Sequence, residues 1–150
     1  MFACGNSRVP GVSSGWMTNK VNVLSGVEIL VVEDDNDTRE LLRVLLETQG
    51  GRVRAASCVS EALEEYDQAR PDVLVADIGM PDYNGYTLIG RVRARDRERG
   101  SIVPAIALTA YATAVDRDTV LSAGFQVHMP KPFDPSQLVS VIANLATQYR

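Results

Sequence analysis

The sequence contains few of the residues that build disulfide frameworks and zinc sites. Of its 150 residues, two are cysteines and one is a histidine. Cys4 and Cys58 lie far apart in the chain, and neither shares a metal-ligand spacing with His128. This scarcity argues against a disulfide-stabilised secreted fold and against a zinc site.

Long apolar runs are also missing. No stretch approaches the roughly 18 consecutive apolar residues that a membrane span needs. The start of the chain, Met-Phe-Ala-Cys-Gly-Asn, lacks the basic and apolar regions of a secretory signal. We therefore expect a cytoplasmic protein that does not associate with membranes.

Positive charge is scarce in most of the chain. The formal net charge is −4, and residues 1–26 contain only Arg8 and Lys20 as charged residues. The remainder therefore carries 13 basic against 19 acidic side chains, which argues against direct DNA binding. The arginines at every second position from Arg91 to Arg99 are spread around a helix and have acids between them. We interpret them as a solvated surface.

A change of pattern at Val27 divides the chain. Residues 1–26 are rich in Gly, Ser, Asn and Val without a period, which predicts a flexible N-terminal extension. From there on, short apolar runs alternate with helix-length amphipathic segments. The predicted strands are residues 29–32, 53–56, 73–76, 105–108 and 125–129. This alternation predicts one doubly wound α/β domain over residues 27–150, with a parallel sheet between two layers of helices.

Local signals mark where these helices begin. Asp35 or Asn36 is suited to cap the first helix, because short polar side chains accept hydrogen bonds from free helical N–H groups. By the same reasoning, the second helix is entered through Ser57 or Ser60. The last helix is predicted to begin at Asp134-Pro135.

Polar residues follow four of the predicted strands. They are Glu33 and Asp34 after the first strand, Asp77 after the third, Thr109 after the fourth and Lys131 after the fifth. In doubly wound sheets, ligands bind at this edge, beyond the carboxyl ends of the strands. Three carboxylates on neighbouring strands repel each other unless a cation lies between them. We expect Mg²⁺ here, because it takes oxygen ligands and commonly joins carboxylates to a phosphoryl group.

Lys131 and Thr109 each have two interpretations. Lys131 is the only lysine after residue 26 and lies between Pro130 and Pro132. It is either an ordinary surface residue or a compact charge that reaches a phosphoryl oxygen or Asp77. Thr109 either starts the following helix or donates its hydroxyl to the same phosphoryl group.

Four short motifs in order make the sequence resemble a known family. They are Ile-Leu-Val-Val-Glu-Asp-Asp at 29–35, Asp-Val-Leu-Val-Ala-Asp-Ile-Gly-Met-Pro at 72–81 with Asn84-Gly85 following, Leu-Thr-Ala at 108–110 and Lys-Pro-Phe at 131–133. Together they resemble the receiver domains of bacterial response regulators, and their sequences look most like those of receivers in hybrid sensor histidine kinases. The resemblance covers about residues 27–148.

The resemblance implies a fold and a phosphoacceptor. The fold would be flavodoxin-like, with five βα units and a parallel sheet of strand order 2-1-3-4-5. Asp77 would accept a phosphoryl group from a phosphohistidine. Asp34 would bind Mg²⁺ directly and Glu33 indirectly, together with Asp77 and the backbone carbonyl of Gly79.

The resemblance also implies a switch and partners. Thr109 and Lys131 would hold the phosphoryl oxygens, and the Lys131-Pro132 peptide bond would be cis. His128 stands where the family usually has Tyr or Phe, and we hypothesise that it still rotates when Thr109 moves. The phosphoryl donor would be a histidine kinase or a histidine phosphotransfer protein. A downstream target would bind the face formed by the fourth helix, fifth strand and fifth helix.

Several interpretations of the function remain open at this point. The chain is interpreted as a phosphorylatable signalling domain rather than an enzyme, with only self-catalysed phosphorylation and dephosphorylation. One alternative is a receiver cut from a hybrid histidine kinase. A second is an aspartyl-phosphate phosphatase or phosphotransferase, although Gly79 stands where such enzymes carry a second Asp. A third is a flavodoxin-type cofactor protein, although the sequence has no phosphate-binding loop after its first strand.

Overall fold

The five predicted pairs of strand and helix are present. A computed structural model describes residues 23–78, 85–110 and 114–149, and the side chains of all of these except 114–116. The strands are β1 (Glu28–Val32), β2 (Arg52–Ala56), β3 (Val73–Asp77), β4 (Ala105–Thr109) and β5 (Val127–Pro130). The helices are α1 (Asn36–Thr48), α2 (Val59–Gln68), α3 (Gly85–Arg99), α4 (Ala114–Ala123) and α5 (Pro135–Tyr149).

The strands form one parallel sheet in the order β2-β1-β3-β4-β5. The predicted fold class and strand order are therefore confirmed. Val32 of β1 is in register with Ala76 of β3. Because the two strands run in the same direction, Glu33 and Asp77, which follow these residues, lie at the same edge of the sheet.

Successive residues of the central strands pack on opposite faces of the sheet, as expected for extended backbone. Leu30 and Leu74 join a core cluster with side chains of α2, α3 and α4. Ile29 and Val75 join a second cluster with side chains of α1 and α5. Nearly every side chain of β1, β3 and β4 is buried. This explains why the sequences of these strands are continuously apolar rather than alternating.

Two local predictions were wrong. The last strand begins at Val127 rather than at Phe125, whose side chain is buried in the core cluster shared with α2, α3 and α4 without belonging to the sheet. The N-cap of α2 is Cys58 rather than a serine. Ser57 contributes in another way, because both its N–H and its hydroxyl donate to the Glu61 carboxylate at 2.7 Å.

The described chain begins with packed residues. The side chain of Leu24 is fully buried, and its N–H donates to the carbonyl of Gln49 at 2.9 Å. Residues 1–22 lie outside the described residues, so the predicted division at residue 26 stays a prediction. Among the helices that the structure describes, none has both the length and the apolar composition to cross a membrane.

Gly85 is expected to tolerate no side chain. A Cβ at this position would overlap Cγ2 of Ile78 and lie 2.9 Å from the Ile78 Cα atom, and the backbone at the end of β3 cannot yield easily. We expect Gly85→Ala to lower the free energy of unfolding by about 1–3 kcal/mol, the usual cost of overpacking. Urea denaturation measures this value.

Gly90 in the same helix provides the matched control. A Cβ added at Gly90 would meet no obstructing atom within 4 Å. Gly90→Ala should therefore raise the free energy of unfolding by about 0.5–1 kcal/mol, since alanine favours a helix more than glycine does. Equal effects of the two substitutions would show that Gly85 is not needed for close packing against Ile78.

Candidate functional site

Three carboxylates meet at the carboxyl ends of β1 and β3. Glu33 and Asp34 follow β1, and Asp77 is the last residue of β3. One carboxylate oxygen from each residue lies within 4.8 Å of the others. Glu33 and Asp77 are buried, with 1% and 7% of their surface exposed, whereas Asp34 is exposed. The predicted convergence of these acids is therefore present in the structure.

Lys131 joins this acidic cluster from the end of β5. Its ammonium group donates to Asp77 Oδ2 at 2.8 Å and to Glu33 Oε1 at 3.2 Å. Burial works to lower the pKa of Lys131, but the hydrogen bond and the negative charge of Asp77, together with those of Glu33, raise it above its ordinary value. Lys131 is thus a charged part of the cluster rather than an ordinary surface residue.

Thr109 lies beside this cluster at the end of β4. The residue is 1% exposed, and its carbonyl oxygen accepts a hydrogen bond from the Lys131 N–H at 2.7 Å. The Lys131-Pro132 peptide bond is cis, as the resemblance implies. The ends of β1, β3, β4 and β5 therefore bring Glu33, Asp77, Thr109 and Lys131 to one edge of the sheet.

The structure assigns a separate role to the third consecutive acid. Asp35 is the N-cap of α1, and its carboxylate accepts hydrogen bonds from the N–H and hydroxyl of Thr38 at 2.8 and 2.7 Å. These bonds lower the pKa of Asp35. The capping residue is therefore Asp35 rather than Asn36.

The predicted roles of two other site residues, Gly79 and His128, stay predictions. Gly79 lies outside the described residues, so its assignment as a metal ligand stays a prediction. His128 is half-buried on β5, in register with Ala107 of β4. Its role as a switch also stays a prediction.

The donor groups present fit a hard divalent cation. Carboxylate oxygens are the ligands that Mg²⁺ prefers. Burial raises the pKa of Glu33 from 4.5 to about 7, and the negative charge of Asp77 also raises it. The hydrogen bonds from the Asp35 N–H and from Lys131 lower this pKa without cancelling the rise. A bound cation would relieve this cost. Glu33, Asp34 and Asp77 are the described side chains that would hold it.

Sequence reasoning missed one residue that contacts this site. Arg39 of α1 donates to the main-chain carbonyl oxygens of Glu33 and Asp34, at 2.9 and 3.4 Å. A basic residue one helical turn after an acidic strand end was the available signal. The helical period places it on the side of α1 that faces back toward the strand.

The raised pKa of Glu33 predicts how stability depends on pH without divalent cations. The folded chain holds this proton up to about pH 7, whereas the unfolded chain releases it near pH 4.5. The stabilisation is therefore complete below pH 4.5 and is lost as pH rises toward 7, by at most about 1.4 kcal/mol per pH unit. Glu33→Gln should remove this part of the pH dependence.

Urea denaturation in EDTA at a series of pH values measures the effect. The free energies of unfolding of the two chains should diverge between pH 4.5 and 7, with Glu33→Gln the more stable above that range. Parallel curves would contradict the assignment of a raised pKa to Glu33. Added Mg²⁺ should reduce the difference at high pH, because cation binding favours the ionised carboxylate.

Comparisons with known proteins identify the class to which this fold and site belong. Residues 29–143 match the family model described as the response regulator receiver domain. The chain belongs to this family, and it contains a receiver domain of two-component systems. Receiver domains are typically non-enzymatic signalling domains, and they interact with histidine kinases and downstream effectors.

Two similar sequences differ in how much of their own length the chain spans. It is 44% identical over 122 residues to an uncharacterised 14.6 kDa protein of Leptolyngbya boryana, with 81% of this chain and 92% of that protein covered. It is 31% identical to hybrid signal transduction histidine kinase D of Dictyostelium discoideum, over 95% of this chain but only 10% of the kinase. The chain thus spans nearly all of the first relative and a small part of the second.

A solved structure gives the matching comparison in three dimensions. The receiver domain of a sensor histidine kinase from Pseudomonas aeruginosa superposes with a TM-score of 0.72 and 31% identity, covering 82% of this chain and 99% of that one. That structure has a magnesium ion coordinated in its active-site cleft. In the present chain, Glu33, Asp34 and Asp77 form an acidic cluster whose oxygens could hold a metal ion.

Proposed function

We propose that the chain accepts a phosphoryl group on Asp77 in a histidine-to-aspartate phosphorelay. The observation that carries this proposal is the position of Lys131, whose ammonium group bridges Asp77 and Glu33 at 2.8 and 3.2 Å. Lys131 at this position holds the Asp77 carboxylate and lies close enough to neutralise the negative charge of a phosphoryl group transferred to Asp77. Thr109 at the end of the adjacent strand supplies a hydroxyl group.

The transfer itself is a nucleophilic displacement at phosphorus. A carboxylate oxygen of Asp77 forms a bond to phosphorus while the bond between phosphorus and the donor's imidazole nitrogen breaks, and the imidazole leaves with the electron pair of that bond and takes up a proton. Lys131 stabilises the charge on the phosphoryl oxygens, and the Thr109 hydroxyl donates to one of them. Mg²⁺ held by Asp34, Asp77 and Glu33 would supply further neutralisation of phosphoryl charge when bound.

The phosphorylated state would differ from the unphosphorylated state in where Thr109 points. A hydroxyl that donates to a phosphoryl oxygen draws the end of β4 toward Asp77. We place the response on α4, β5 and α5, with His128 as the β5 side chain that changes its environment. In this proposal a histidine kinase or histidine phosphotransfer protein in the cytoplasm is the donor, and the target binds this face.

Intact mass spectrometry after incubation with acetyl phosphate tests the proposal. With Mg²⁺ present, the chain should gain the mass of one phosphoryl group, and with excess EDTA it should gain none. Asp77→Asn removes the nucleophile with little change in size and should abolish the gain. A chain that stays unmodified under all conditions would refute the proposed function.

A further inference from the structure

The turn after β1 is held by one arginine of α1. Arg39 Nη1 donates to the carbonyl oxygen of Glu33 at 2.9 Å and, more weakly, to that of Asp34 at 3.4 Å. Its Nη2 donates to the side-chain oxygen of Asn36. These acceptors are two main-chain carbonyl groups and an amide, so the guanidinium group fixes the backbone that carries the acids.

The three carboxylates differ in how firmly the fold positions them. Asp77 is part of a strand that pairs with β1 on one side and β4 on the other. Glu33 is buried, and its N–H donates to the carbonyl of Ala56 at 3.0 Å. Asp34 is exposed. Its main-chain carbonyl is one of the two that Arg39 contacts, so the backbone from which this carboxylate extends belongs to the turn that Arg39 holds.

We propose that Arg39 is a positioning residue for the cation site, which it orders by holding the carbonyl groups of Glu33 and Asp34 toward α1. With these carbonyl groups turned to the helix, the Asp34 carboxylate is kept on the side of Asp77. The inference rests on the proposed function, since it assigns to Arg39 the geometry of the same metal site. It does not place Arg39 in contact with the metal or the phosphoryl group.

Charge and geometry make opposite predictions for this residue. A positive charge near the site repels a divalent cation, so a purely electrostatic role means that removing Arg39 tightens Mg²⁺ binding. A positioning role means that its removal loosens Mg²⁺ binding, because the Asp34 carboxylate is no longer held. Residues that orient metal ligands commonly contribute about 10- to 100-fold to metal affinity.

The test is calorimetric titration of the purified chain with Mg²⁺ at one fixed pH. We expect Arg39→Ala to weaken binding about tenfold. Arg39→Lys should weaken it nearly as much, because lysine keeps the charge but lacks the planar fork that reaches several acceptors. Equal or tighter binding by Arg39→Ala, or full retention by Arg39→Lys, would overturn the inference.

Arg43→Ala is the matched control. Arg43 lies one turn further along α1, and its side chain is 45% exposed and paired with Glu40 at 3.7 Å. Its removal should leave Mg²⁺ affinity unchanged. Thermal unfolding of each variant in EDTA shows whether it is folded. If Arg39→Ala does not fold, Asn36→Ala takes its place in the test, because it removes one acceptor of the same guanidinium group. Asn36→Ala should weaken Mg²⁺ binding by a smaller factor. Unchanged Mg²⁺ affinity in this variant would overturn the inference.

The two proposals fail in different ways. Mg²⁺ binding by the unsubstituted chain together with unchanged affinity in Arg39→Ala would refute the role of Arg39 and leave the proposed function intact. Phosphorylation is a separate measurement on the unsubstituted chain, and its absence would refute the proposed function while the Mg²⁺ affinities still decide the role of Arg39.

Discussion

Replacing Asp96 with alanine is expected to lower the free energy of unfolding by about 3–5 kcal/mol, the usual cost of breaking a buried ion pair. Asp96 on α3 is 2% exposed. Its carboxylate accepts hydrogen bonds from the Tyr66 hydroxyl, from Arg70 at 2.8 Å, from Arg93 at 2.6 Å and from the Val103 N–H at 3.2 Å. Removing it leaves these donors without their acceptor and two buried or half-buried arginines without their counter-charge.

Arg93 connects this cluster to the segment between α4 and β5. It donates to the carbonyl of Gly124 after α4 at 2.8 and 3.0 Å, and to the side-chain oxygen of Gln126 before β5 at 2.8 Å. Gln126 in turn accepts from the N–H of Ala105 at 2.7 Å. One carboxylate therefore supports contacts among α2, α3, α4 and the starts of β4 and β5.

Asp67→Ala is the control for this measurement. Asp67 also pairs with an arginine, Arg95, at 2.7 Å, but its side chain is 51% exposed. Exposed pairs contribute about 0–1 kcal/mol, so urea denaturation should separate the two substitutions clearly. A small effect of Asp96→Ala, similar to that of Asp67→Ala, would contradict a supporting role for the buried cluster.

Replacing Lys131 with methionine is expected to slow phosphorylation by acetyl phosphate about 10²–10³-fold, which is the typical cost of removing one group that stabilises transition-state charge. Lys131 contacts Asp77 and Glu33 and is 27% exposed. Methionine has a similar length and no charge. Mg²⁺ binding should persist and become tighter, because two buried carboxylates lose their cationic partner.

The rate is measured by intact mass at saturating Mg²⁺, with Lys131→Arg as the control. Arginine keeps the positive charge and should retain more of the rate than methionine does. In EDTA, Lys131→Met should also unfold at a lower temperature, since Asp77 and Glu33 then lose their hydrogen bonds from the Lys131 ammonium group. An unchanged rate in Lys131→Met would exclude a role for Lys131 in the transfer.

The central architecture could be predicted because buried parallel strands leave an unambiguous signal. Continuous apolar runs at β1, β3 and β4 fixed the three inner strands, and the residues after them marked the site. Glu33, Asp77 and Lys131 could be predicted to meet because the strand ends of a parallel sheet share one edge. The cluster that forms from them is confirmed.

Other features depend on tertiary contacts that sequence periodicity does not contain. The arginine series on α3 was interpreted as a solvated surface, and this was wrong for Arg93, whose side chain is 12% exposed and pairs with Asp96. Alternating charges give no sign of which pair is turned inward. Phe125 was assigned to a strand for a related reason, because hydrophobicity reports burial and does not separate a buried turn residue from a strand residue.

The most direct test of the central claim is to locate the phosphoryl group on the chain. Borohydride reduces an acyl phosphate to an alcohol, so treatment of the phosphorylated chain should convert Asp77 to homoserine, which peptide mass spectrometry identifies by position. We expect this conversion at residue 77 and at no other carboxylate, and only after incubation with both acetyl phosphate and Mg²⁺. Conversion at Glu33 or Asp34 instead, or at none of the three, would contradict it.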